Sequence, residues 1–75
     1  MDVAQSAEII KKRCNEKNIS VKALLEECEI RKGLIYDMEK RLKSPGAELL
    51  EKIAIRLDCS VDYLIGRTDN PEVNR

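Results

Sequence analysis

Apolar residues recur at spacings of three and four along this chain of 75 residues, a period that predicts helices and no strand. A first helix is expected over 6–17, with Ala7, Ile10 and Cys14 inward and Lys11, Lys12 and Glu16 outward. Asn18 suits the left-handed conformation that closes many helices, and Ile19 can then fold back onto the core. Ser20 can accept a hydrogen bond from a free amide and so open a second helix over 21–28, whose Leu24, Leu25 and Cys28 share one face. A new phase, Leu34, Ile35 and Met38, marks a third helix over 32–40. Ser44 and Pro45 stop it, because proline cannot continue a helix but fits at a start. The strongest period follows over 47–57, where Ala47, Leu50, Ile53, Ala54 and Leu57 oppose Glu48, Glu51, Lys52 and Arg56. Ser60 caps a short fifth helix over 61–65 that Gly66 ends, and residues 67–75, polar and without apolar period, are expected to form a frayed tail.

Two short helices separated by a break between Ser20 and Glu39 have the layout of a helix-turn-helix. Crossed at roughly 90–120°, such a pair leaves the outer face of its second helix free to enter a DNA major groove. That face is expected to carry Arg31, Lys32, Gly33, Tyr36, Asp37 and Lys40.

Fourteen basic and fourteen acidic residues balance, so bulk positive charge does not by itself bind this chain to nucleic acid. The distribution is uneven. Residues 31–43 hold five basic and two acidic side chains, a net of +3, while the segments on either side are net negative. Without Trp or Phe, the core falls to aliphatic residues, Met and the three cysteines. Cys14, Cys28 and Cys59 are odd in number and lack CxxC spacing, which points to buried thiols in a reducing cytoplasm. No histidine and no ligand cluster suggest a metal, and nothing suggests a cofactor or small-molecule ligand. MDVAQSAEII has no signal-peptide pattern, and no run approaches the roughly 18 apolar residues that span a membrane.

EKNIS before the second helix, ME at the end of the third, SP in the next loop, LLEKIAIRL in the fourth helix and CSVDYLIG followed by RTDNP resemble the phage repressor and Cro-like (XRE-type) helix-turn-helix family, over roughly Ile9 to Gly66. The resemblance implies an all-α, compact five-helix lambda-repressor-like domain over residues 1–66, helices 2 and 3 forming the helix-turn-helix, with 67–75 as a tail. Three residues depart from the family pattern. Val21 stands for the usual Gln and removes a phosphate-binding amide; Leu25 stands for a small Ala and implies a wider or rotated crossing; Glu29 stands for the turn Gly and implies strain or a differently built turn. Gly33 early in the third helix is a further oddity, costing up to about 1 kcal/mol relative to Ala in a helix interior.

By the same resemblance, Lys32, Gly33, Tyr36 and Asp37 face base edges, while Ser20, Lys22, Arg31, Lys40, Arg41 and Lys43 contact phosphates. Lys32 can donate to guanine O6 or N7 and Asp37 can accept from cytosine N4; the plainer reading of Asp37 is an i, i+4 pair with Arg41. Tyr36 serves equally as a packing residue. No catalytic constellation is present: the serines at 6, 20, 44 and 60 stand at helix starts with no histidine to activate them. The implied function is a sequence-specific DNA-binding transcriptional regulator, a repressor, bound to a two-fold symmetric operator as a homodimer joined through the C-terminal region at Leu64 and Ile65. The alternative is a protein-binding module that retains the repressor fold.

Overall fold

The computed structural model describes residues 2–72. Five helices follow in order: α1 (Val3–Glu16), α2 (Val21–Glu27), α3 (Leu34–Lys40), α4 (Ala47–Arg56) and α5 (Val61–Leu64), with no strand among the described residues.

α1 starts three residues earlier than the sequence suggests. Asp2, not Ser6, is its cap, accepting from the Gln5 amide at 3.0 Å. Val3 extends the apolar face to Val3, Ala7, Ile10 and Cys14, so the first turn gains core contact of its own. Ser6, expected at a helix start, is instead fully buried, and its Oγ has no hydrogen-bond partner among the described residues. Ser20 and Ser60 do cap α2 and α5, accepting from the amides of Ala23 and Tyr63 at 3.0 Å each.

Four helices end in the same way. Asn18, Glu29, Asp58 and Gly66 take positive φ of 58°, 58°, 53° and 81°. The next residue's amide then reaches back to the last turn: Ile19 to Cys14 at 2.9 Å, Ile30 to Leu25 at 2.8 Å, Cys59 to Ala54 at 3.0 Å, Arg67 to Asp62 at 2.9 Å. This is the Schellman closure, and in each of the first three it turns an apolar residue back onto the core. Asn18 and Ile19 behave as their sequence position implies. Glu29 resolves the open question at the motif's turn: the turn keeps the left-handed geometry that glycine favours, and Glu29 bears the strain.

α1 forms the centre of the domain, with α2, α3 and α5 packed around it and α4 closing the core against α5. Ile10, Leu24, Met38, Ile53, Leu57 and Leu64 are fully buried there. Polar links fix the helices further. Arg13 donates from Nε to the Leu57 carbonyl and from Nη2 to the Asp58 carbonyl, both at 3.1 Å, and so caps the C-terminus of α4 from α1. Lys11 Nζ meets Glu39 at 2.9 Å between α1 and α3, and Arg56 Nε meets Glu27 at 2.7 Å between α4 and α2.

All three thiols are free and buried, as the phases imply. Removal from water raises the pKa of each above the ordinary thiol value. Within the segment expected as a tail, the Pro71 carbonyl accepts at 3.0 Å from the Ser60 amide, one of the unpaired donors at the start of α5. Residues 73–75 of that expectation lie outside the described residues. Among the described residues, no helix is long and apolar enough to cross a membrane.

Candidate nucleic-acid interface

The surface around α3 starts from its own phase. Leu34, Ile35 and Met38 turn inward and hold the helix on α1, leaving Arg31, Lys32, Tyr36, Lys40, Arg41 and Lys43 exposed, Tyr36 at 58 %. The helix begins at Leu34, two residues later than expected, so Arg31 and Lys32 belong to the turn and Gly33 is the cap. The helix-interior cost assigned to Gly33 therefore does not arise: its φ of −80° and ψ of 1° are open to any residue. Its lack of a side chain matters sterically instead. A Cβ there would stand 3.0 Å from Nη1 of Arg31.

Asp37 is the main correction. Expected on the outer face, it is 5 % exposed. Its carboxylate accepts from Nη2 of Arg31, and Arg41 Nε lies 3.8 Å from its other oxygen. Leu34, Asp37 and Met38 stand at i, i+3 and i+4, so Asp37 shares the inward stripe of α3; only its charge made it look like an outer residue. Its backbone carbonyl also accepts from the amides of Arg41 at 3.0 Å and Lys43 at 3.1 Å, folding the following loop over the end of α3 with Leu42 at φ 54°. The plainer reading of Asp37, a pair with Arg41, is present but shared with Arg31.

The two acidic residues of the basic stretch are thus both used internally, Asp37 by the arginines and Glu39 by Lys11. Hydrogen bonding to Glu39, then to Glu8, raises the Lys11 pKa above its ordinary value and keeps it charged. Lys32, Lys40 and Lys43 form no ion pair with any described residue, so the exposed charge beside α3 is positive. The sequence-predicted residues therefore fall into two groups: Arg31 and Arg41 pair with Asp37, while Lys32, Tyr36, Lys40 and Lys43 lie on the solvent side and Gly33 stands in the turn between Arg31 and the helix. Ser20 and Lys22 stand apart at the start of α2 and make no bond with either group. The Ser20 hydroxyl uses a lone pair for the Ala23 amide, which leaves its proton available to an outside acceptor. Among the described residues no group of side chains could hold a metal ion.

A family model described as Helix-turn-helix matches residues 10–64, most of the chain. The chain belongs to this family, the Cro/C1-type or XRE helix-turn-helix proteins, and is thereby a DNA-binding transcription regulator in the general sense. No curated protein and no solved structure matches it significantly.

Proposed function

We propose that the protein is a sequence-specific transcriptional repressor that lays α3 in the major groove of a two-fold symmetric operator. The observation carrying this reading is the exposed basic face at α3, whose own two carboxylates, Asp37 and Glu39, are paired with cations, on a family fold that binds DNA. Lys32 and Tyr36 are the base-reading residues and Gly33 a point of close backbone approach; Lys40 and Lys43 hold phosphates, with Ser20 and Lys22 at the start of α2 reaching the same backbone. Asp37 is withdrawn from base reading, since its carboxylate is occupied by two guanidiniums.

One domain makes few DNA contacts, and a homodimer on half-sites one helical turn apart doubles them. Leu64, expected at the dimer surface, is fully buried in the core of its own chain and cannot serve. Apolar surface remains on the same side of the sequence: Ile55, 80 % exposed on α4, and the half-buried Val61 and Ile65. A dimer joined there fits the reading, and Ile55→Lys should leave a monomer in sedimentation at tens of micromolar.

Selection from random-sequence duplexes tests the function directly. Lys32→Ala should cost on the order of 1–3 kcal/mol on the selected site and relax one position, while Lys40→Ala should weaken all sequences alike and lower the salt slope by about one. A wild type that enriches no motif, and binds all DNA at roughly 10⁻⁴ to 10⁻⁶ M at physiological salt, refutes the repressor reading in favour of a protein-binding module.

A further inference from the structure

The geometry points to Asp37 as a positioning residue that draws the guanidiniums of Arg31 and Arg41, residues from the two ends of α3, to one carboxylate before DNA arrives, as a phosphate clamp. The inference rests on the DNA-binding reading above and assigns a mechanism to its phosphate contacts.

Three observations carry it. First, the carboxylate is almost wholly buried while the side chains of both arginines are about 62 % and 63 % exposed, so what the site presents to solvent is guanidinium and not carboxylate. A carboxylate has two oxygens and several acceptor sites, enough for two partners, and each arginine brings five N–H donors, so both retain donors for a phosphate after binding Asp37. Second, the arginines flank the helix. Arg31 stands in the turn before α3 and Arg41 is its C-cap, so one buried side chain governs both ends of the element that enters the groove. Third, the route is kept open. Gly33 lies between Arg31 and the helix, and any Cβ there would press on the guanidinium at 3.0 Å.

The physical consequence concerns specificity. Long arginine side chains lose rotamer freedom when they bind, and a partner that holds them beforehand removes part of that loss. Phosphate contacts carry no sequence information but fix the register in which Lys32 and Tyr36 meet the bases. Arginines held in one geometry reward only that register. Free arginines follow the phosphates in any register and weaken the distinction between the operator and other DNA.

Asp37→Asn keeps the shape and removes the charge. The preference for the selected operator over an unrelated duplex should fall about tenfold or more, while affinity for unrelated DNA holds or rises because a negative charge has left the interface. A second readout needs no DNA. Side-chain ¹⁵N relaxation of Arg31 and Arg41 should show ordered guanidiniums in the free wild type and mobile ones in Asp37→Asn. Mobile arginines in the wild type, a result that needs no variant to fold, or a folded Asp37→Asn that keeps the operator preference within twofold, overturn the clamp while the repressor reading stands. A wild type that selects no sequence overturns that reading and the clamp together.

Discussion

Replacing Glu29 with glycine should stabilise the protein, and the size of the gain follows from the turn between α2 and α3. Glu29 sits at φ 58° with its amide bonded to Glu26 at 3.1 Å, and Ile30 beyond it is bonded to Leu25 at 2.8 Å, so the left-handed geometry is enforced by the closure of α2. For a residue with a Cβ that conformation costs about 1–2 kcal/mol. Glycine removes the cost but gives the unfolded chain about 0.4–1 kcal/mol of extra freedom. The Glu29 side chain is exposed and pairs with no described residue, so no contact among them is lost. A net gain of about 0.5–1 kcal/mol remains, which for a domain of this size raises Tm by about 2–8 °C. Thermal unfolding followed by far-UV circular dichroism, at fixed protein concentration, measures it. Glu29→Gln is the control, because it removes a negative charge near a helix C-terminus while keeping the Cβ, and isolates any dipole contribution. A glycine variant that melts at or below wild type, with the Gln variant unchanged, refutes the assignment of strain to this turn.

Three further outcomes follow from the core. Ser6→Ala should leave Tm unchanged or raise it, by up to about 1 kcal/mol of stability, since the buried Oγ has no hydrogen-bond partner to lose; a clear drop in a urea melt would reveal one. Arg13→Ala should destabilise by about 1–3 kcal/mol, because two carbonyls at the end of α4 lose charged donors, and Arg13→Lys should recover only part of that; equal stability of all three would show that the α1 to α4 link contributes nothing. Burial raises all three thiol pKa values, so the folded chain stays protonated where the unfolded one ionises. Stability should then be full below about pH 8.5 and fall as pH rises past that value, with alkylation of the native thiols slow until denaturant is added; thiols that label at once in native buffer would contradict the burial.

What the chain determined by itself is what local periodicity and cap chemistry can encode. Apolar residues at three and four fix which face of each helix goes inward wherever the helix sits, so the five elements, the buried Cys14, Cys28 and Cys59, and the caps at Ser20 and Ser60 were legible from residues close in sequence. Even Asp37 and Val3 were on the inward stripe, and only the habit of reading a carboxylate as exposed and Ser6 as a cap hid them. What the tertiary structure alone decided depends on groups that meet across the chain or across a turn. Arg13 finds its carbonyls 44 and 45 residues away, the Ser60 amide finds the Pro71 carbonyl, and Leu64 is removed from any dimer surface by the helices that cover it. The candidate interface divides along the same line. Its basic residues are a local run, but which of their charges reaches solvent is set by where the two carboxylates go, Glu39 to Lys11 on α1 and Asp37 to the arginines at either end of α3; such pairing falls steeply with distance and exists only once the helices are packed.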